Sequence, residues 1–452
     1  MSPRTVLGPY LRLFAVRGAA SFSLAGWLGR LPASTAGLGT VLMVSAQTGS
    51  YALAGAVSGT LALAFAAASP AWARAADRRG QGRVLRLSMG GFLVSGLAFV
   101  AVVLAGAPVW SWFLLAVIAG AAAPNIGSMV RTRWSHSLAD PAARQTAFAF
   151  ESVVDEVVFV VAPPAATVLA ALVVPSAGFL AGLVAGVAGG LWLASQRRTE
   201  PPAAPRAAGA AHRPWAALAP AVVVVTVSSM AVGTVFGAMD VVVVAFAREQ
   251  GAPAVAGAAL ATAAAGSLLA GLTYGLARLP GTLTSRFLAC SVAFGIAAQS
   301  LLAVGSLPAL VPALFVLGLT IAPVLVSGMT LVESAVPRAT LTEALTWTTT
   351  GLTVGGTAGA ALAGAVVDAA GAHAAFAVPC AAAVLAAVLA LAGARWLPRR
   401  RRASGGPAFP AGQPGGDPGP RPVGTAGAGP AAADAVRRGA RESVRGAGRD
   451  AT

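Results

Sequence analysis

Three carboxylates stand within six residues of an otherwise apolar stretch, ESVVDEVVFVVAPP, which runs from Glu151 to Pro164. Glu151 and Asp155 are four residues apart and therefore share one face of a helix. Glu156 is turned from Asp155 by about 100° around the helix axis. Carboxylates in apolar surroundings can bind and release protons, so these three residues are candidates for proton coupling. Arg30, in another apolar stretch, is the base that could neutralise one of them.

The depth of these charges in a bilayer decides how they can be accommodated. At 1.5 Å per residue, Asp155 lies about 18 Å along its apolar span and Arg30 about 16 Å along the first span. An unpaired charge near the bilayer centre costs roughly 2.5–3.5 kcal/mol. We therefore expect Arg30 to pair with Asp155 or Glu156, and another of the acids to carry a proton. The alternative is a static ion-pair cluster that locks spans 1 and 5 together.

The composition is that of an integral membrane protein. Of 452 residues, 57% are hydrophobic and only 10% are charged, and the mean hydropathy is +0.77. These values lie outside the range of soluble globular domains. Twelve apolar spans are long enough to cross a core of roughly 30 Å, namely 19–44, 51–73, 84–106, 109–130, 143–171, 175–195, 216–246, 254–277, 285–306, 308–332, 342–367 and 373–396.

The basic residues predict how these spans are oriented. The net charge of +16 would suggest nucleic acid in a soluble protein, but here the arginines follow the membrane topology. They occur in the N-terminal arm, after spans 2, 4, 6, 8 and 10, and in the C-terminal tail. The positive-inside rule then places both termini in the cytoplasm. We expect a multi-pass protein of a bacterial plasma membrane, with no nucleic-acid partner.

Several kinds of chemistry are disfavoured by the residues that are absent. All 31 basic residues are arginine, so the chain has no lysine for a nucleotide-binding loop or a Schiff base. Cys290 and Cys380 lie in apolar runs and are expected to be buried thiols. The three histidines are far apart and have no ligand-like spacing. We expect no enzyme activity, no cofactor and no metal site.

The chain divides into two similar halves and two polar segments. Residues 1–195 and 216–397 each hold six spans, and a Pro, Ala and Arg-rich segment at 196–215 is expected to be a flexible cytoplasmic linker. Residues 398–452 are rich in Gly, Pro and Arg and are expected to be disordered. Spans 4 and 10 contain similar sequences, GAAAPNIGSM and GLTIAPVLVSGM, in which a Ser follows a Pro by four residues. Two six-span halves are a known transporter architecture, with the substrate between them.

The loop after span 2 reads ARAADRRGQGRVLR and begins at Ala73. It resembles the loop motif of the major facilitator superfamily, which has Gly, three variable residues, Asp, a basic residue, one variable residue, Gly and further basic residues. The residues that match in place are Asp77, Arg78 and Gly80. The loop departs from the pattern at Ala73 and at the first two positions after Gly80, which leaves Arg83 as the nearest equivalent of the later basic residues.

The resemblance implies alternating access, in which two halves rock about a central substrate site. Gly80 permits a tight reversal of the chain, and Asp77 at a helix end can pair with a base on a neighbouring helix. The candidate bases are Arg131 and Arg133, at the end of span 4. Such a pair would hold the cytoplasmic side closed. The alternative is a short basic loop with no gating role.

Other polar residues in the spans have less defined predictions. Asp240 in span 7 is expected either to face a cavity near the outer mouth or to lie at the interface. Glu343, at the start of span 11, is interpreted as a cytoplasmic gate partner rather than a substrate contact. Asn125 is a candidate for either a cavity or a helix contact. The glycines of span 11 suit close helix packing, and they are Gly351, Gly355, Gly359 and Gly364.

The sequence thus predicts an all-α, twelve-span secondary transporter of the major facilitator type. Acids outnumber bases within the spans and few other polar residues line them, which favours an amphipathic or cationic organic substrate. Proton-coupled export is the first hypothesis, and proton-coupled uptake of a small metabolite is the second. A non-transporting receptor or membrane enzyme is a remote alternative, because the chain lacks a sizeable soluble domain. The expected partners are lipids, protons and a small molecule, and the protein is expected to be a monomer.

Overall fold

The computed structural model of the protein describes residues 3–203, 216–252, 255–277 and 279–397. These residues form helices and turns with no β-strand among them, which confirms the predicted all-α class. The linker residues 204–215 and the predicted tail at 398–452 lie outside the described residues. The helices of the described part are α1 (Pro3–Phe14), α2 (Ala19–Arg30), α3 (Pro32–Thr48), α4 (Tyr51–Arg79), α5 (Gln81–Leu104), α6 (Val109–Ala122), α7 (Ile126–Ser137), α8 (Pro141–Leu172), α9 (Ala177–Ser195), α10 (Pro220–Glu249), α11 (Val255–Leu276), α12 (Leu283–Ala298), α13 (Leu307–Ala335), α14 (Leu341–Ala375) and α15 (Ala377–Gly393).

Eleven helical segments of the described residues are long and apolar enough to cross a membrane. The first predicted span is built differently, from α2 and α3 on either side of Leu31. Pro32 begins α3, and a proline both lacks the amide that a continuous helix needs and crowds the preceding turn. The pair together covers 19–48, about 45 Å at 1.5 Å per residue. The twelve predicted spans are therefore found as these eleven segments together with the pair α2 and α3.

The fourth span is also interrupted, between α6 and α7. Pro124 ends the regular hydrogen bonding of α6, and the Asn125 side chain accepts the Ser128 amide at 2.9 Å to cap α7. The similar sequence in span 10 has Pro323 inside a continuous α13. There the next residue is Val324, which has no side-chain acceptor for a cap. The two similar sequences therefore differ because only one of them carries a capping residue.

Small residues let α14 pack closely against α10 in the C-terminal half. A Cβ added at Gly351, Gly355 or Gly359 would collide with backbone carbonyls of α10. These three glycines therefore have the packing role predicted for them. Gly364 is different, because a Cβ there would meet nothing within 4 Å.

One end of the bundle gathers the last residues of α7 and α9 and the first residues of the linker. Arg133 donates hydrogen bonds to the carbonyls of Leu193 and Gln196, at 2.9 and 3.0 Å. Residues 197–199 form a 3₁₀ turn, after which the Glu200 carboxylate accepts the Gly82 amide at 2.8 Å. The beginning of the predicted flexible linker is thus held in place by hydrogen bonds. We call this end of the bundle the linker side.

Candidate functional site

A cluster of four charged side chains occupies the middle of the N-terminal half. Arg30, the last residue of α2, forms ion pairs with Glu151 and with Asp155 on α8, the latter at 3.1 Å. Arg131 on α7 forms a second ion pair with Asp155, at 2.6 Å. The predicted pair of Arg30 with Asp155 is present, and the i, i+4 spacing of the two acids explains why Arg30 reaches both. It does not pair with Glu156, which lies on another face of the helix.

Glu151 is the most enclosed member of this cluster. Its side chain is buried, and its Oε1 accepts hydrogen bonds from Ser23 at 3.3 Å and from the indole of Trp134 at 2.7 Å. Its Oε2 accepts from Arg30. Three donors thus surround one carboxylate. Glu151 therefore holds Arg30 in position.

Asp155 and Glu156 are neighbours in sequence but have different surroundings. Both oxygens of Asp155 are taken by arginines, although its side chain is 35% exposed. Glu156 Oε1 accepts a hydrogen bond of 2.5 Å from Ser267 on α11, in the other half. In the described part of the chain, no arginine forms an ion pair with Glu156. A serine hydroxyl can donate to a carboxylate or accept from a carboxylic acid, so this contact can persist in both protonation states.

Asp77 has a different partner from the one expected. Its carboxylate accepts hydrogen bonds from the backbone amides of Thr342 and Glu343, at 3.3 and 3.0 Å. The prediction that it pairs with Arg131 or Arg133 is therefore wrong. The two bases lie two residues apart on α7 and so face opposite ways, Arg131 toward Asp155 and Arg133 toward the linker. Asp77 instead meets the start of α14, where unpaired amides and the helix dipole favour an anion.

Glu343 makes the next contact between the halves. It forms an ion pair of 3.3 Å with Arg74 on α4 and accepts the Ala216 amide at 3.0 Å. The structure thus brings Glu343 to the contact between the halves. Sequence reasoning missed Arg74, although it stands in the same segment as Asp77 and one helical turn before it.

The remaining residues of the loop motif lie at or beside the turn. Gly80 has a φ of 88°, and a Cβ there would approach Glu200 Oε1 to 2.8 Å. It is therefore required both for the backbone conformation and for the space that Glu200 occupies. Arg78 and Arg83 are exposed at the linker side. They add positive charge to this surface.

A second set of contacts joins the halves where α8 begins and α11 ends. Arg144 on α8 forms an ion pair of 2.9 Å with Glu333 on α13. The next two side chains donate to the last carbonyls of α11, Gln145 to Tyr274 at 3.3 Å and Thr146 to Gly275 at 2.8 Å. These contacts were not predicted. The only signal in the sequence is that Arg144 and Glu333 each lie at the arginine-rich end of a span.

The contacts between the halves are distributed unevenly along the bundle axis. Near mid-depth, Asn125 donates to Thr349 at 2.7 Å and Glu156 bonds Ser267, while the other contacts described above lie at the linker side. Among the described residues, no hydrogen bond joins the two halves near the opposite end. The halves are therefore closed against each other at the linker side. Asp240 is exposed and lies about 30 Å along α10 from its start, toward the opposite end.

The sequence was compared with protein families, and it matches the model of the Major Facilitator Superfamily over residues 20–286 and 224–440. These two matches cover most of the chain. The chain belongs to the major facilitator superfamily. Its members are membrane transporters, so this facilitator is a multi-pass membrane transporter. Among curated protein sequences, none matches it.

Solved structures support the same fold for this facilitator. A crystal structure of a bacterial homologue of the iron transporter ferroportin, in an outward-facing state with soaked iron, matches with a TM-score of 0.67 and 15% identity. That match covers 83% of this chain and 99% of the other. The human organic anion transporter MFSD10 (TETRAN) matches with a TM-score of 0.65 and 16% identity, over 83% of this chain and 99% of the other. At such identities the likeness concerns the fold alone.

Proposed function

We propose that this facilitator exports a small amphipathic or cationic organic compound across the plasma membrane in exchange for protons. In this proposal the linker side and both termini face the cytoplasm, as the distribution of arginines suggests. The contact pattern then corresponds to a state closed toward the cytoplasm. The substrate site lies between the halves, on the far side of the contacts made by Asn125 and Glu156.

The contrast between Glu156 and its neighbours is the observation that carries the proton-coupling proposal. Glu151 and Asp155 are ion-paired with Arg30 and Arg131, so a proton on either acid would break an ion pair with a buried base. Glu156 has the Ser267 hydroxyl as its partner and can therefore exchange a proton without leaving a buried base unpaired. The contact also joins the two halves. Proton binding at Glu156 is thereby linked to the rearrangement of the halves.

The balance of charges at mid-depth supports a cationic substrate. Three acids, Glu151, Asp155 and Glu156, face two bases, Arg30 and Arg131, which leaves an excess of one negative charge when all are ionised. Asp240 adds another acid toward the opposite end. A low-dielectric cavity with this excess attracts cations and disfavours anions. A proton on Glu156 and a cation in the cavity would then compete for the same negative charge, which is what exchange requires.

Transport in everted membrane vesicles tests this proposal. Vesicles that contain the protein are energised to acidify their interior, and uptake of a panel of cationic dyes, including ethidium, is followed. Proton-driven export predicts dye uptake that stops when a protonophore is added. Dye movement in the opposite direction, driven by the same gradient, would favour the uptake symporter. No protein-dependent movement of any dye would contradict a cationic substrate class.

The Glu156→Gln variant separates coupling from folding in the same assay. Glutamine keeps a hydrogen bond to Ser267 but cannot carry a proton. We expect the variant to exchange labelled dye for unlabelled dye and to lose gradient-driven accumulation. Asp368→Asn, at an exposed acid of α14, is the matched control and should retain accumulation. Gradient-driven accumulation by Glu156→Gln at the wild-type rate would exclude Glu156 as the proton carrier.

A further inference from the structure

The first helix is an element that the transport mechanism described above does not use. α1 spans Pro3–Phe14 and is joined to α2 by a short turn in which Gly18 has a φ of 87°. Two of its side chains, Tyr10 and Leu13, are buried. Others point outward, with Leu11 64% exposed. The helix thus has one face against the protein and another that is uncovered.

The buried face of α1 touches both halves of the transporter. The Tyr10 hydroxyl donates to the Leu272 carbonyl of α11, in the C-terminal half, at 2.8 Å. The Phe14 ring meets Phe150 of α8 edge-on, with ring centroids 5.2 Å apart. A Cβ added at Gly275 would collide with the Tyr10 hydroxyl, so little space remains at this contact. α1 therefore bridges the last turn of α11 and the N-terminal half.

This bridge lies beside the contacts that close the linker side. Gln145 and Thr146 bind the carbonyls of Tyr274 and Gly275, in the same last turn of α11 that Tyr10 reaches. Opening of the linker side moves α11 away from α8, so it must break the Tyr10 bond together with the others. Tyr10 is thus placed to favour the closed state.

The exposed face of α1 has the chemistry of a helix at a membrane surface. Leu11 offers apolar surface, while Arg12 and Arg17 are exposed bases on and just after the helix. Helices of this kind lie in the plane of the interface, with apolar side chains among the acyl chains and bases among anionic headgroups. Each base near an anionic surface contributes to binding, and the effect decreases with salt. The charge on this face selects anionic over zwitterionic lipid.

We propose that α1 is an interfacial helix whose exposed face binds anionic lipid headgroups and whose Tyr10 latches the linker side closed. Lipid binding holds α1 at the surface in the orientation that lets Tyr10 reach α11. Anionic lipid therefore increases the population of the closed state. This regulation is independent of which substrate is carried and of proton coupling.

A distance measurement in liposomes tests the proposal with the full chain. Cys290 and Cys380 are replaced by alanine, and spin labels are attached to cysteines introduced at Ala139 and Ser285, which are exposed on the two halves at the linker side. The distribution of label distances is recorded in phosphatidylcholine alone and with about one third phosphatidylglycerol. We expect the anionic lipid to increase the ratio of short to long distances several-fold.

Two variants connect this shift to α1. Tyr10→Phe removes only the hydroxyl, and Arg12→Gln removes one exposed charge, so both are expected to fold. Tyr10→Phe should favour long distances in both lipid mixtures, and Arg12→Gln should lose most of the lipid-dependent shift. Arg198→Gln, at another exposed base of the linker side, is the matched control and should keep the shift.

The remaining outcomes contradict the proposal. Equal distance distributions in the two lipid mixtures for the wild type would show that anionic lipid does not regulate closure. A shift that survives in both Tyr10→Phe and Arg12→Gln would assign the effect to another surface.

Glycerol phosphate added to phosphatidylcholine liposomes should leave the distances unchanged, because the proposed ligand is a headgroup held in the membrane. An equal shift with the soluble phosphate would overturn that assignment.

Discussion

The Asp77 carboxylate caps the first turn of α14 from the opposite half of the transporter, with Oδ2 3.0 Å from the Glu343 amide. One acid thus satisfies two backbone amides that the helix itself leaves unpaired, at 3.3 and 3.0 Å. The contact depends on the two halves being together at the linker side. We therefore expect it to break when the linker side opens.

Asp77→Asn tests this contact. Asparagine can still accept a hydrogen bond but loses the charge that the helix dipole favours, a difference of about 1 kcal/mol or roughly fivefold in population. We expect more of the linker-side open state. The measurement is the alkylation rate of a cysteine introduced at Thr132, which is buried against Thr342 of the other half, in a background without native cysteines. An alkylation rate equal to that of Asp368→Asn would contradict a gating role for Asp77.

The Arg144 and Glu333 ion pair is the second contact expected to control this opening. Its two atoms are 2.9 Å apart and both side chains are mostly buried, so each single variant leaves one charge poorly paired. A double-mutant cycle with Arg144→Gln and Glu333→Gln, read out by the same alkylation assay, should give a coupling energy of about 1 kcal/mol. Strictly additive effects of the two substitutions would mean that the pair does not stabilise the closed state.

Gly80→Ala is predicted to destabilise the N-terminal half. The alanine would have to adopt φ 88° and ψ 144°, a region that only glycine occupies readily and that costs roughly 1–3 kcal/mol for a residue with a Cβ, and it would displace Glu200. Thermal unfolding of the purified protein should begin at a lower temperature. Gly59→Ala is the control, because Gly59 is inside α4 with nothing within 4 Å of an added Cβ. Equal unfolding temperatures for the two variants would refute the conformational argument.

Asp155→Asn is predicted to reduce the amount of folded protein. The substitution removes the ion pair between Asp155 and Arg131 and leaves Arg30 paired only with Glu151. We expect a loss of about 2 kcal/mol, less than for a fully buried pair because the Asp155 side chain is 35% exposed. The yield of monodisperse protein should fall for Asp155→Asn and stay unchanged for Glu156→Gln. Equal yields would contradict the different roles assigned to these neighbouring acids.

Hydropathy and the cost of isolated charges were sufficient to predict much of this molecule. The apolar spans follow from the length that a bilayer requires, and the pair of Arg30 with Asp155 follows from the cost of leaving either charge alone. Glu151 was recognised as a site residue. That it binds Arg30 together with Asp155, and also accepts a hydrogen bond from Trp134, became visible only when α2, α7 and α8 were placed together.

Several of the contacts that sequence reasoning missed involve the backbone. Asp77 binds amides that lie 265 and 266 residues later, and the tyrosine of α1 binds a carbonyl that is 262 residues away. Every residue carries these backbone groups, so no residue type marks them as partners. α1 itself was overlooked because only its arginines were considered, as signals of topology.

Proton release on substrate binding tests the role of Glu156 most directly. Ethidium, or another dye transported in the vesicle assay, is added to the purified protein in weakly buffered solution containing a pH indicator. Exchange of proton for cation at Glu156 predicts that the wild type and Asp368→Asn release protons, whereas Glu156→Gln binds the dye and releases none. Undiminished proton release by Glu156→Gln would contradict the account.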